Sequence, residues 1–356
     1  MDDTREIAVI PGDGIGQEVV PIAVSLVRQA AGDGVQLAFT EYPWGCDYYL
    51  ASGRMMPDDG LAELDRFDAI FLGAVGDPAR VPDHVSLWGL LLRIRRGLHL
   101  SINVRPARSL EGVPSPLRDP AGFDLVVVRE NSEGEYSQVG GAIHDGPDEV
   151  VLQTSVFTRR ATESVIRYAF ELARTRRRHL TSATKSNGIA DTMPFWDRVV
   201  REVAADYADV QVRSMHVDAL AARLVAAPQS LDVIVASNLF GDILTDLTGT
   251  LMGSLGVAPS VNRDPTGAHP PLFEPVHGSA PDIAGSGIAD PAAQIWCGAL
   301  MLEHLGLPGA ATRLLAALEA TMAAGDVTPD LGGTLSTVQM GEAVGRRLVA
   351  SAAATA

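Results

Sequence analysis

At 356 residues and 46% hydrophobic composition, the chain can bury a full core and more than one domain, which excludes a disordered or fibrous protein. The 28 Lys+Arg against 44 Asp+Glu leave a formal net charge of −16, a field that repels phosphate backbones and argues against nucleic acid as a partner. Two cysteines, Cys46 and Cys297, match a reducing compartment; the acidic opening MDDTREIAVI lacks a signal peptide's basic start, and no apolar run approaches the roughly 18 residues of a membrane span, so a cytoplasmic protein without membrane partners is expected.

The first strand, IAVI at 7–10, runs into PGDGIGQEVV, where Gly12, Gly14 and Gly16 lead into a helix. The spacing is G-x-G-x-G rather than the G-x-G-x-x-G of a Rossmann fingerprint, and no acidic residue follows a clear second strand about 20 residues on. Two readings stay open: a tight strand-to-helix turn, or backbone placed near a cofactor. A second strand is expected in FDAIFLGAV (67–75). The segment LLLRIRRGLHLSINVRPAR then places arginines at 93, 95, 96, 105 and 108.

The strand DLVVVRE (124–130) ends on Arg129, and strand ends are where α/β proteins bind ligands. Arg105, between Val104 and Pro106, has a similar setting. A single arginine most often solvates a face, but converging guanidinium groups grip carboxylates bidentately, which suggests a small polycarboxylate. Loops are expected at 112–122, 140–148 and 259–271 from their Gly, Pro and Asp clusters.

Between Arg159 and Arg174, apolar Val165, Ala169, Leu172 and Ala173 fall at i, i+4, i+7 and i+8, one buried face of a helix. The run Arg174, Arg176, Arg177, Arg178 at its end complements the helix dipole. A further helix begins near Pro194, with the stripe Trp196, Val199, Val200 and Val203. Apolar strands alternating with amphipathic helices imply an α/β fold with covered sheets.

The strand DVIVASN (232–238) enters NLFGDILTD, where Asp242 and Asp246 emerge on one helix face. Such a pair is tolerated when fully solvated; crowding by Ile243, Leu244 and Leu247 argues against that, and a hard divalent cation would relieve the repulsion. Asp218, in SMHVDAL, is a third oxygen ligand on this reading, with His216 structural. Tyr136 and Lys185 say little alone, but near a dication a lysine's pKa falls and a neutral amine can act as base. The stretch 290–305 is apolar nearly all round (Ile295, Trp296, Ala299, Leu300, Met301, Leu302), which marks a deeply buried helix. Ala350–Ala356 is a small-residue tail expected to fray.

Taken together, PGDGIGQE, INVRPAR, VVRENSEGEYS, ATKSNG, NLFGDILTD, GSLGVAPS and LFEPVHGSAPDIAG resemble the β-decarboxylating dehydrogenases, the isocitrate/isopropylmalate dehydrogenase family, from about residue 6 to about 340. The resemblance implies that Arg95, Arg105 and Arg129 hold substrate carboxylates, that Asp218, Asp242 and Asp246 bind Mg²⁺ or Mn²⁺, and that Lys185 and Tyr136 are base and acid. It implies a homodimer in which Lys185 and Asp218 serve the partner's site, and it leaves K⁺ as a further cation. His277, Gly278, Ser279 and Ala280 would approach the adenosine, with Asn187 in the cofactor set; Asp282 would accept the ribose hydroxyls of NAD and repel the 2′-phosphate of NADP. Many relatives read A-N-P where Asp290 gives A-D-P.

The implied fold is two-domain α/β with a large mixed sheet flanked by helices, not a Rossmann fold. A discontinuous NAD domain (1–101 and 255–356) would carry the glycine loop beside EPVHGSAPD, and a substrate, metal and dimerisation domain (102–254) would include an arm near 137–157. Trp88 stands where isopropylmalate enzymes carry an acidic residue, and Gly89 and Leu91 where isocitrate enzymes carry Ser and Asn. PDH-SLWG, ENSEGEYS, SVFTRR and TKSNG look most like the tartrate/D-malate branch, which implies oxidative decarboxylation of a (2R)-hydroxy diacid: D-malate to pyruvate and CO₂, with activity on tartrate. The alternatives are 3-isopropylmalate as substrate and, from another class, a non-catalytic regulatory subunit.

Overall fold

The computed structural model describes residues 4–32, 34–120 and 122–355, with side chains through residue 350; Ala121 of the expected 112–122 loop and Ala356 of the tail lie outside the described residues. The chain divides into two compact units, one of Met1–Leu100, Ser109–Pro120 and Gly249–Ala356, the other of Ser101–Arg108 and Ala121–Thr248.

The first unit contains β1 (Arg5–Gly12), α1 (Gly16–Ala31), β2 (Leu37–Glu41), α2 (Cys46–Ser52), α3 (Gly60–Leu64), β3 (Ala69–Ala74), α4 (Asp83–Gly89) and α5 (Leu91–Gly97). The second contains β4 (Ile102–Arg108), β5 (Asp124–Glu130), β6 (Gly134–Ile143), β7 (Val150–Val156), α6 (Arg159–Arg174), β8 (His179–Thr184), α7 (Thr192–Ala204), β9 (Gln211–His216), α8 (Val217–Ala226), β10 (Val233–Ala236) and α9 (Asn238–Met252). The chain then returns to the first unit with β11 (Pro259–Arg263), β12 (Leu272–Pro275), α10 (Ala292–His304), α11 (Pro308–Ala323) and α12 (Thr337–Thr355).

In the first unit the strand order is β2-β1-β3-β12-β11, parallel except for the antiparallel β11–β12 pair. In the second it is β4-β5-β10-β8-β9, parallel except for β4–β5, with β6 and β7 as a separate antiparallel hairpin. Each unit is thus the mixed α/β sheet flanked by helices that the pattern implies. All six residues of β3 and all four of β10 are buried, as expected of strands covered on both faces. The core beside β1 and β3 includes Ile10, Trp44, Met56, Leu64, Ile70, Leu72, Leu90 and Ile94.

The all-apolar stretch near 290–305 is α10, buried from Ala292 through Ala299 and packed on α1, α11 and β12. At Gly298 an added Cβ would lie 2.5 Å from Val27 Cγ2, so α1 packs hard against it. Helix α6 buries Val165, Ala169 and Ala173 as expected, but Leu172 is only half-buried and Ile166 and Phe170 complete the stripe. Thr158 caps α6 by accepting the Ala161 N–H at 3.2 Å. Helix α7 starts at Thr192, with Pro194 in its first turn, and buries Trp196, Val199, Val200 and Val203.

Three expectations are corrected. The 140–148 loop is β-structure as far as Ile143, because cross-strand pairing with β7 overrides a glycine-rich sequence. The 259–271 loop begins with the strand β11, whose Pro259 sits at its first residue, where a proline is tolerated. The alanine-rich tail continues α12 to Thr355, in keeping with alanine's high helix propensity. Cys46 and Cys297 are free and buried, and no helix among the described residues is long and apolar enough to cross a membrane.

Candidate active site

In the second unit the site grows from the C-terminal ends of β5 and β10. Register pairs Ala236 with Arg129, so the chain leaves β10 beside Arg129 and turns into α9. Gly241 in the first turn of α9 lies against the Arg129 side chain: a Cβ there would be 2.6 Å from Arg129 Cγ. The Arg129 guanidinium donates through Nε (3.2 Å) and Nη2 (2.7 Å) to Asn238 Oδ1, and through Nη1 to Asp242 Oδ1. Asn238 Nδ2 in turn donates to Glu133 O at 3.1 Å, which fixes the acceptor's orientation.

Arg105, on β4, also reaches α9. Its Nη1 donates to Thr245 Oγ1 at 2.6 Å and lies 3.6 Å from Asp242 Oδ1. Tyr136, at the start of the β6–β7 arm, donates its hydroxyl to Asp242 Oδ2 at 3.0 Å, with the Arg129 guanidinium 5.7 Å from its ring centre. Burial and then the Asp242 charge push the Tyr136 phenol up from its ordinary pKa. Asp242 is therefore the hub on which Arg105, Arg129 and Tyr136 converge.

Asp246 stands one turn on. Its carboxyl is also pushed up, first by loss of water and then by Asp242, so the two like charges do act on each other. Leu244 is buried beneath them, but Ile243 points into solvent at 56% exposure and does not enclose the pair, contrary to expectation. A helix exposes one side of such a turn whatever its composition. The donor set suits a hard divalent cation: two carboxylates, one turn apart, with room on the open side. No three His, Cys, Asp or Glu side chains among the described residues gather into a complete metal set.

Lys185 follows β8, and its Nζ donates to Asp218 Oδ1 at 2.7 Å. Asp218 lies in the first turn of α8; the lysine's hydrogen bond holds its carboxyl below the usual range. Asn187 is exposed in the turn that follows, where Gly188 and Ile189 donate to Lys185 O. His216, which precedes α8, is half-buried.

The other candidates belong to the first unit. Arg95, on α5, is nearly buried and donates to Glu274 Oε1 at 2.5 Å; Asn262 Nδ2 shares that oxygen at 2.6 Å. Arg93 donates to Asp58 O at 3.1 Å and Arg96 stacks 4.5 Å from the Trp88 ring centre. The glycine loop does lie beside the distant HGSAPD segment: Ile15 N donates to Ser279 O at 2.9 Å, and a Cβ on Gly14 (φ +54°) would sit 2.1 Å from that same oxygen. Gly278 and Asp282 are exposed, Ser279 is buried, and Ala280 adopts φ 41°, a left-handed conformation unusual for alanine. His277 and Asp290 place buried polar atoms nearby that no protein group satisfies.

Several residues of the site go beyond the candidates read from sequence. Asn238 and Thr245 were visible only as parts of NLFGDILTD. Asp13 ties the glycine loop down by accepting Cys46 N at 2.7 Å and Gly76 N at 2.8 Å, and Glu18 accepts Gly285 N (2.7 Å) and Gly287 N (3.0 Å). The Arg174–Arg178 run does more than complement a dipole: Arg174 pairs with Asp209 and Arg176 with Asp232 and Asp124.

Comparison with known proteins identifies the family. The isocitrate/isopropylmalate dehydrogenase family model matches residues 6–344. The chain is 57% identical over 345 residues to a probable tartrate dehydrogenase/decarboxylase of Bacillus subtilis (96% of this chain, 98% of that protein). It is 51% identical over 355 residues to the decarboxylating D-malate dehydrogenase of Escherichia coli (97% and 98%). The crystal structure of isocitrate dehydrogenase from Methylococcus capsulatus superposes with a TM-score of 0.87 at 38% identity, over 97% of this chain and 99% of that one. On these grounds the chain belongs to the isocitrate/isopropylmalate dehydrogenase family and is a decarboxylating dehydrogenase.

Proposed function

We propose that the protein catalyses the NAD- and Mg²⁺- or Mn²⁺-dependent oxidative decarboxylation of a (2R)-hydroxy diacid, D-malate to pyruvate and CO₂, with activity on tartrate. The observation that carries this reading is the convergence of Arg105, Arg129 and Tyr136 on Asp242, with Asp246 one turn away. Two buried guanidinium groups beside an acid pair suit a small diacid chelated by a dication. In this reading Arg95 joins Arg105 and Arg129 in gripping the carboxylates, K⁺ is a further cation, and the enzyme works in the cytoplasm.

Asp242 and Asp246, with Asp218 of the partner subunit, would hold the metal, which when bound supplies Lewis acidity to the substrate's C2 oxygen. NAD would be held on the His277–Ala280 loop, with Asp282 on its ribose and Asn187 and Asp290 in the cofactor set, and when bound would supply the acceptor for the C2 hydride. Lys185 of the partner subunit removes the C2 hydroxyl proton; the resulting 2-keto acid loses its β-carboxylate as CO₂, and the electron pair left behind forms the enolate of pyruvate. Tyr136 delivers a proton to C3 of that enolate, so the hydroxyl proton taken up by the enzyme is returned to carbon. The arginines keep the leaving carboxylate ionised, the form from which CO₂ departs.

A homodimer is part of the proposal, and the β6–β7 arm supports it. Val139, Ile143, Val150, Val151 and Leu152 are all exposed there, more apolar surface than a free two-stranded hairpin carries stably in water. The test is NADH formation with Mn²⁺ present, comparing kcat/KM for D-malate, L- and meso-tartrate and 3-isopropylmalate. A ratio favouring 3-isopropylmalate over D-malate would install the runner-up in its place.

A further inference from the structure

A cavity of about 250 Å³ opens in the first unit at the N-terminal ends of β3 and β12, with Asp68, Arg263 and His304 among its lining residues. The glycine loop and the 277–280 segment follow the opposite, C-terminal ends of β1 and β12, so the cavity is no part of the candidate active site. It is smaller than the roughly 300–1,000 Å³ of sites for drug-sized ligands, which excludes a dinucleotide and leaves room for a small molecule.

Most of the charge around the cavity is committed. Asp65 Oδ1 lies 2.6 Å from His269 Nδ1, and Asp264 accepts from Thr266 N at 3.0 Å, Thr266 Oγ1 at 2.6 Å and Ala268 N at 3.0 Å. Two charged groups are not. Among the described residues none accepts from or pairs with the half-buried Arg263 guanidinium, and Asp68 engages only Oδ2, which accepts Glu6 N at 2.8 Å. Arg263 and Asp68 share the cavity without pairing, because the backbone holds each in place. Arg263 ends β11, which is locked in register with β12, and Asp68 N donates to Glu6 O of β1 at 2.8 Å. His304, at the end of α10, feels both groups: burial and then the Arg263 charge lower its pKa, while Asp68 acts the other way.

An unpaired guanidinium and an unpaired carboxylate oxygen, held apart around one cavity, complement a ligand that carries both charges. The guanidinium fork matches a carboxylate, and the carboxylate oxygen accepts from an ammonium. Phe67, Pro270 and Pro271 offer apolar surface to a short aliphatic chain. A phosphate dianion would instead be repelled by Asp65, Asp68 and Asp264. We propose that this cavity is a second binding site, independent of the reaction proposed above, for a small aliphatic α-amino acid whose carboxylate rests on Arg263 and whose ammonium rests on Asp68 Oδ1.

The test is saturation-transfer NMR titration of L-alanine at neutral pH, with propionate, which lacks the ammonium, and ethylamine, which lacks the carboxylate, as competitors. L-Alanine should bind the unaltered protein saturably, and each competitor should displace it only at concentrations about tenfold or more above the L-alanine Kd, since each leaves one charge of the site uncompensated. Arg263→Gln and Asp68→Asn should each raise the L-alanine Kd about tenfold or more. Asparagine keeps an oxygen for Glu6 N, so the backbone anchor survives. Absence of saturable L-alanine binding, displacement by either competitor at the L-alanine Kd, or an L-alanine Kd unchanged in either variant overturns the proposal. The competition needs only the unaltered protein and decides the matter even where a variant fails to fold.

Discussion

Gly241→Ala tests whether the contact between α9 and Arg129 sets the site. The added Cβ would lie 2.6 Å from Arg129 Cγ, 2.7 Å from its Cβ and 3.2 Å from its Cδ. Carbon atoms pack at about 3.5–4.0 Å, so α9 and the arginine must part by roughly 1 Å. Alanine for glycine in a helix is otherwise worth about 1 kcal/mol of stabilisation. Overpacking of this kind costs about 1–3 kcal/mol, so the balance falls on the destabilising side by about 0–2 kcal/mol. That lowers Tm by a few degrees and leaves the folded fraction near unity. The same displacement separates the Arg129 guanidinium from Asn238 and Asp242, and a misplacement of about 1 Å in a catalytic array costs on the order of 100-fold. Scanning calorimetry beside D-malate kinetics should therefore show a small change in Tm and a large fall in kcat/KM. A raised Tm with unaltered kcat/KM would mean that helix propensity alone governs the position and that α9 does not rest on Arg129.

Other outcomes follow from the same geometry. Lys185→Met should abolish nearly all turnover while NADH titration gives the unaltered affinity; retained oxidation of D-malate removes the lysine from its role as base. Glu18→Ala releases the Gly285 and Gly287 N–H groups that its carboxylate accepts, so the coenzyme loop loosens and the NADH Kd should rise about tenfold, the equivalent of one hydrogen bond to a charged group; an unchanged Kd would show the loop ordered without it. Burial lowers the pKa of His277 and of His304 in the folded state. Below the unfolded value of about 6.5 the unfolded chain therefore binds more protons, and stability is lost as pH falls through that point towards the lowered values. Thermal melts of His277→Gln between pH 7 and 5 should be flatter than those of the unaltered protein, and equal slopes would refute the assignment.

The legible parts of the fold were those dictated by local periodicity. Stripes in α6 and α7, the all-apolar α10 and the buried β3 and β10 each follow from which residues must leave water, a property of a few neighbouring positions. What escaped depends on partners distant in the chain. Residues 140–143 look like loop because glycine has no side chain to favour a strand, yet pairing with 150–153 makes them one. Of the glycine loop's two readings the structure shows the tight turn: Gly12 packs on Ala74 O, and the turn lies against Ser279 because Gly14 has no Cβ to hold it off. Neither contact can be inferred from PGDGIG alone.

Charge is less legible than packing, because a charged side chain's role depends on what faces it. Arg95, Arg105 and Arg129 look alike in sequence, yet Arg95 is held by Glu274 and Asn262 in the first unit, while Arg105 and Arg129 share Asp242 in the second. Asp242 in turn accepts from Arg129 and Tyr136 and pairs with Arg105 at 3.6 Å, while standing one turn from Asp246, whose like charge repels its own. A carboxylate in that position is attracted to the cations on one side and destabilised by the anion on the other. On the proposed function, a dication between the two aspartates would reverse the second effect, and by drawing electron density from Asp242 would weaken that residue's hold on Arg105 and Arg129, leaving both guanidinium groups better able to take a substrate carboxylate. Spacing alone identified the acid pair, but it is the convergence of Arg105, Arg129 and Tyr136 on one of its members through which, on that proposal, metal and diacid binding would favour each other.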